Sequence, residues 1–246
     1  MPRNVLVFGA TSAIAHAIGR RYAKERANFV LVARDPIKLA ANAADLSVRG
    51  AAKAIALTAD LNDFAEHQDL TSRAVSELGS LDVVLIAHGT LPDQERCENN
   101  IDEMRMAINT NLLSVMSLAT IAAAQMGKQQ RGSLVVLCSV AGDRGKRSNY
   151  VYGAAKGGVA VFLDGLRARL WSRHVHVLTV KPGLVDTPMT ARFPKGILWA
   201  TPEQVAKAVY RAVEQRRSVI YTPWFWRPIM FVIRLLPNAI FDRLNI

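Results

Sequence analysis

Tyr152 and Lys156 stand four residues apart in Tyr150-Val151-Tyr152-Gly153-Ala154-Ala155-Lys156. On a helix that spacing puts a phenol and an ammonium on one face. A phenol ordinarily ionises near pH 10, and a neighbouring cation favours the phenolate and lowers that value. Such a pair can give and take a proton close to neutrality. The same spacing also fits two ordinary side chains on an amphipathic helix, so the surrounding elements have to decide. Tyr150 lies two positions from Tyr152, about 200° round a helix, and is not expected to share the duty.

The chain has 246 residues, half of them apolar, which suits one α/β domain with an ample core and excludes a disordered chain. Of its two cysteines, Cys138 lies inside the apolar run LVVLCSV, which points to buried thiols in a reducing compartment. Lys and Arg number 31 against 20 Asp and Glu, a net charge of +11. That balance suits nucleic acid, an acidic membrane surface or an anionic substrate. With no polybasic tract, zinc pattern or basic strand interleaved with aromatics, a nucleic-acid partner is not expected. His16, His67, His174 and His176 show no metal-ligand clustering. The first apolar run is too short for a signal-peptide core, and no stretch reads as long enough to span a membrane. The location expected is cytoplasmic.

Short β-branched runs alternate with helical patterns along the chain. Strands are expected at about 5–9, 29–33, 54–60, 81–89, 132–140, 174–183 and 218–222. Between them lie helical patterns, among them one long helix from about Glu98 to Met126 and another from about Ser148 to Trp171. TPEQVAKAVYRAVEQ carries a Thr cap followed by Pro at its first position. Near-continuous apolar strands separated by helices predict a mostly parallel sheet of about seven strands covered on both faces. No linker or repeat interrupts the pattern, so residues 1–246 read as one domain.

The turn Gly9-Ala10-Thr11-Ser12-Ala13-Ile14-Ala15 joins the first strand to the first helix. There, backbone N–H groups and the positive helix end can meet a pyrophosphate. Only the first glycine is present; Ala13 and Ala15 stand where related loops carry glycine. After the second strand comes Ala33-Arg34-Asp35. An acid at that strand end suits the 2′-hydroxyl of NAD, and an arginine suits the 2′-phosphate of NADP. Arg34 therefore favours NADP(H), with NAD(H) left open by Asp35, which is also a natural helix cap before Pro36.

Taken together, the chain resembles the short-chain dehydrogenase/reductase family over essentially its whole length. The resemblance implies a Rossmann-type three-layer αβα sandwich with a doubly wound sheet. It implies that Tyr152 and Lys156 are the family's Tyr-x-x-x-Lys pair, that Ser139, thirteen residues before the tyrosine, completes a Ser-Tyr-Lys triad, and that Asn111 supports a proton relay. Asn109 is a rival for that last position. The resemblance further implies cofactor contacts from Gly9, Thr11, Ser12, Ala13, Ile14, Arg34, Asp60, Leu61, Ala87, His88, Gly89, Tyr152, Lys156, Pro182, Gly183, Val185 and Thr187. The family's Asn-Asn-Ala-Gly stretch is here Ile86-Ala87-His88-Gly89, which leaves His88 either beside the cofactor or as a hydrogen-bonded structural residue.

From Arg144 onward the chain is more specifically similar to a branch that includes the reductase partner of decaprenylphosphoryl-ribose 2-epimerase. That similarity implies reduction of a keto-sugar on a polyprenyl phosphate, in cell-envelope glycan synthesis, with a flavin oxidase partner. A general carbonyl reductase for a lipophilic or soluble ketone and a non-catalytic dinucleotide sensor are the alternatives. Residues 222–246 combine Trp224-Phe225-Trp226 with Arg227, Arg234 and Arg243. They suit either a membrane-surface contact or a lid. By resemblance, a homodimer or homotetramer is expected.

Overall fold

The computed structural model describes residues 2–244; Asn245 and Ile246, the last two of the expected 222–246 segment, lie outside them. Seven strands form one parallel sheet: β1 (Asn4–Phe8), β2 (Asn28–Ala33), β3 (Lys53–Thr58), β4 (Val83–Ile86), β5 (Ser133–Leu137), β6 (His176–Pro182) and β7 (Val219–Thr222). Their order is β3-β2-β1-β4-β5-β6-β7. The sheet is wholly parallel, where the sequence left room for an exception. The chain grows outward from β1 to β3, then returns to β4 beside β1, so the strand order reverses there. Crevices beyond the strand ends at such a reversal are where α/β sheets take ligands.

The two-residue period of the strands sorts the core into two layers. Val5 and Val7 face helices α1 (Ala13–Ala23), α2 (Pro36–Val48) and α8 (Pro202–Glu214), packing with Ile18, Tyr22, Leu39 and Val209. Leu6 and Phe8 face α3 (His67–Leu78), α6 (Ser114–Gln129) and α7 (Tyr150–Leu170), packing with Leu70, Leu118, Met126 and Leu163. Local signals open these helices where the sequence predicts. Thr201 caps α8 in a reciprocal box with Gln204, and Pro202 follows.

The helix expected from Glu98 to Met126 is not continuous. It divides into α4 (Gln94–Asn99), α5 (Ile101–Ile108), a π-helical turn at Asn109–Leu113, and α6. Asn100 is extended, at φ −141°, and its side chain accepts the Asp102 N–H at 2.9 Å, so it ends α4 and caps α5. A capping asparagine among helix-compatible neighbours leaves the apolar period nearly intact, which is why the pattern runs straight through it. One further expectation is corrected. The 29-residue run Ile101–Gln129 is long and apolar enough to cross a membrane by length and composition. Half of its most apolar stretch is buried, and α6 packs against β4, β5, α3 and α7, as a core helix does. The chain ends in α9 (Trp226–Leu235) and α10 (Asn238–Phe241).

Candidate active site

A cleft of about 550 Å³ opens at the carboxyl ends of the central strands. Every residue expected to touch a cofactor lines it: Gly9, Thr11, Ser12, Ala13, Ile14, Arg34, Asp60, Leu61, Ala87, His88, Gly89, Tyr152, Lys156, Pro182, Gly183, Val185 and Thr187. Ser139 lines it as well, and Asn111 does not. Residues from six separate turns thus converge because parallel strands deliver all their carboxyl ends to one edge.

At the first turn, Gly9 has φ +80°, and a Cβ there would sit 2.5 Å from the His88 backbone nitrogen. The one glycine retained in this loop is therefore the one that packing and backbone conformation require. Ala15, by contrast, is buried in the core beneath the loop, so its methyl group turns away from the cleft. Ser12 caps α1 through the Ala15 N–H, and Ser12, Ala13 and Ile14 at this helix start line the cleft. Asp35 accepts from the Ile37 and Lys38 N–H groups at 3.1 and 3.0 Å and is the cap of α2. These bonds support its reading as the cap. Asp35→Ala is expected to lower the urea unfolding midpoint through loss of the α2 cap and to leave dinucleotide preference unchanged. Arg34 is exposed at the rim and has no ion-pair partner among the described residues.

Ser139 stands at the start of a short 3-10 turn, Val140–Gly142, that packs directly on α7. A Cβ on Gly142 would meet the Gly157 nitrogen at 2.7 Å, and one on Gly157 would meet the Gly142 oxygen at 2.9 Å. Main chain rests on main chain, and this sets the separation of Ser139 from the Tyr152–Lys156 face. The Ser139 hydroxyl accepts the Ala141 N–H at 3.1 Å, which leaves its own proton available for a second oxygen.

Lys156 is only 3% exposed, and its ammonium lies 5.8 Å from the Tyr152 ring centre and donates to the Leu137 carbonyl at 3.2 Å. Burial pulls its pKa below the ordinary lysine value. The phenol of Tyr152 moves the other way from the sequence expectation: burial pushes it up to about 12, opposed by a hydrogen bond with the Ser139 side chain. Desolvation of the phenolate is the largest cause in this state of the protein. The result is a neutral acid held beside a hydroxyl, suited to giving a proton. Tyr150 is 42% exposed on another face, near Gln94 and Glu98, as expected.

Asn111 is fully buried on the π-helical turn behind the cleft. Its Oδ1 accepts the Thr90 N–H at 3.0 Å and its Nδ2 donates to the Ala107 carbonyl at 3.0 Å. A Cβ on Gly89 would lie 2.8 Å from Asn111 Oδ1 and 3.4 Å from Lys156 Nζ, so both polar atoms press on the same residue from behind. Asn109, on the same turn, is exposed. His88 takes both roles that the sequence held apart: it lines the cleft and is hydrogen-bonded. Its Nε2 lies 2.9 Å from the Ser114 hydroxyl, which itself donates to the Leu61 carbonyl. Burial lowers its pKa to about 3, so the ring is neutral, and Nδ1 is buried without a partner.

Sequence reasoning missed Trp226 as a wall of this cleft. It is 6% exposed, packs with Val140 and Met230, and would collide with any Cβ on Gly183. Nothing in its spacing from the catalytic motifs marks it; the signal was the aromatic cluster, read only as tail. Arg144 ties that tail to the Ser139 loop. Its guanidinium donates to the carbonyls of Ile233 and Leu236, both at 2.6 Å, and sits 3.7 Å from the Phe241 ring centre.

The model of the short chain dehydrogenase family matches residues 3–197. The chain belongs to that family. An uncharacterized oxidoreductase of Mycobacterium tuberculosis (strain ATCC 25618 / H37Rv) is 38% identical over 240 residues, 98% of this chain and 96% of its own. One from Streptomyces coelicolor is 35% identical over 245 residues, 99% and 96% of the two chains. A ketoacyl reductase of a Nostoc species is 30% identical over 225 residues, 89% and 77%. As a short chain dehydrogenase, the protein is an NAD(P)-dependent oxidoreductase, and its cofactor is a nicotinamide dinucleotide. The residues present fit that group: a turn with glycine at its tightest point at the α1 N-terminus, an arginine at the rim without an ion-pair partner among the described residues, and an orphaned imidazole nitrogen in the wall.

Proposed function

We propose that the protein reduces a ketone to a secondary alcohol, with Tyr152 as proton donor. The observation that carries this is the neutral phenol, with a pKa of about 12, set beside Ser139 and Lys156 in the dinucleotide cleft. The bound dinucleotide supplies the hydride. Ser139 donates to the ketone oxygen and fixes its place, and the Tyr152 hydroxyl then delivers its proton to that oxygen. Lys156 holds the ribose side of the cofactor, and Asn111 backs Lys156 across Gly89 and supports the relay that returns the proton. The test is oxidation of NADPH and NADH by a ketone panel that includes a polyprenyl-phosphate keto-sugar and simple lipophilic ketones. A wild type that oxidises neither cofactor with any ketone would overturn the reading.

NADP(H) is the favoured cofactor, on Arg34. Arg34→Ala is expected to weaken NADPH binding about tenfold and to leave NADH binding nearly unchanged, read by fluorescence titration. Equal losses for both would remove Arg34 from the 2′-phosphate. For the substrate, we favour a keto-sugar on a polyprenyl phosphate, delivered by a flavin oxidase at the cytoplasmic face of the membrane. The tail supports this: Trp226 of α9 walls the cleft beside Gly183 and Val140, an aromatic surface suited to a lipid-linked substrate. The name of the Nostoc relative favours a second reading, a more general ketone substrate. The exposed apolar side chains Leu113 and Val161, on the long-helix side, support pairing into a homodimer or homotetramer.

A further inference from the structure

A second depression, a groove of about 1370 Å³, lies on the far side of α9 from the cleft. Its floor is the edge strand β7 and its walls are α8, α9 and the segment near Trp199. The helix α9 has two faces. Trp226, Ile229, Met230 and Ile233 turn inward, whereas Arg227, Phe231 and Arg234, at i, i+4 and i+7, form a stripe along the groove.

The lining combines two properties that rarely coincide on a free surface. Large apolar side chains stand in water: Ile197 is 97% exposed, Trp224 77% and Phe231 65%. Around them, Lys207, Arg211, Arg217, Arg227 and Arg234 have no ion-pair partner among the described residues, and no acidic residue lines the groove. Exposed apolar area of this kind marks a contact surface.

The charge chooses the occupant. A second copy docking by a two-fold axis would present the same surface to itself, setting five unpaired cations against five. An acidic soluble partner would answer the cations but gives no account of a lone exposed isoleucine and tryptophan at the rim. A surface that is anionic in its plane and apolar beneath answers both. We propose that this groove and the outer stripe of α9 dock the protein on an anionic lipid bilayer. Trp224, Phe231 and Ile197 enter the headgroup boundary and the five cations pair with lipid phosphates. The docking does not depend on which ketone is reduced.

The full chain is tested by co-sedimentation with phosphatidylcholine vesicles, with and without phosphatidylglycerol. Binding is expected only with phosphatidylglycerol and is expected to fall as salt rises. Arg227→Glu with Arg234→Glu is expected to weaken it about tenfold or more, and Trp224→Ser with Phe231→Ser by a similar factor. NADPH affinity serves as the control for folding and is expected to stay unchanged in both. Absence of binding, equal binding to neutral vesicles, or binding untouched by both double variants would overturn the proposal. A wild-type dimer that becomes monomeric with the two arginine reversals would assign the groove to a second copy instead.

Discussion

Replacing Tyr152 by Phe is expected to lower ketone reduction by about a thousandfold while NADPH binds almost as before. General acids placed in a transition state contribute about 10²- to 10⁴-fold. Tyr152 is half-buried beside the Ser139 side chain, so phenylalanine retains the ring packing and removes only the proton. The expected signature is a fall in kcat with little change in KM for NADPH. Ser139→Ala should give a smaller loss, because the oxygen is then less well placed but a proton donor remains. A Tyr152→Phe variant that reduces a ketone at the wild-type rate would remove Tyr152 from the chemistry.

Gly157→Ala is expected to be the more damaging change for the architecture of the site, although it adds one methyl group. That methyl would lie 2.9 Å from the Gly142 carbonyl oxygen, and a main-chain atom has no rotamer into which to retreat. Either the Val140–Gly142 turn lifts off α7, carrying Ser139 with it, or α7 shifts and carries Tyr152 and Lys156. Overpacking of this kind costs about 1–3 kcal/mol. A displacement near 1 Å costs about a hundredfold in rate. Thermal unfolding and turnover should therefore both suffer, with the rate loss persisting well below the melting temperature. Gly165→Ala, on the same helix with nothing within 4 Å of its added methyl, is the control and should be neutral or slightly stabilising.

The difference between these two glycines also shows what the sequence could reveal. The Tyr152–Lys156 spacing, Ser139 at the end of β5 and the Gly9 turn are local or evenly periodic features, and each lies in the cleft as read. The strand alternation of Leu6 and Phe8 against Val5 and Val7 likewise specified the two core layers. What was not legible depends on pairs remote in the chain. Trp226 meets Gly183 and Val140 only after the tail folds back, and a burial strong enough to raise a phenol to about 12 arises from the assembled walls. The break at Asn100 was local but hidden, because capping needs one side chain while the apolar period around it continues. Asp35 was ambiguous for another reason: cap and ribose ligand call for the same carboxylate at the same place.

Arg144 offers a consequence of a different kind. The last turn of α9 leaves carbonyl groups without helical partners, and the guanidinium of a single distant residue satisfies two of them while stacking on Phe241. None of α9's outer stripe enters the two large core layers, and its inner residues form a small cluster of their own with Val140. Among the described residues, a polar clasp and a satellite apolar patch hold the tail to the cleft. Elements held in that way open at lower free energy than the sheet they cover. In hydrogen exchange, the amides of residues 226–241 should therefore exchange together and well before those of β4 and β5, as one cooperative unit that can leave and return while the sheet stays folded.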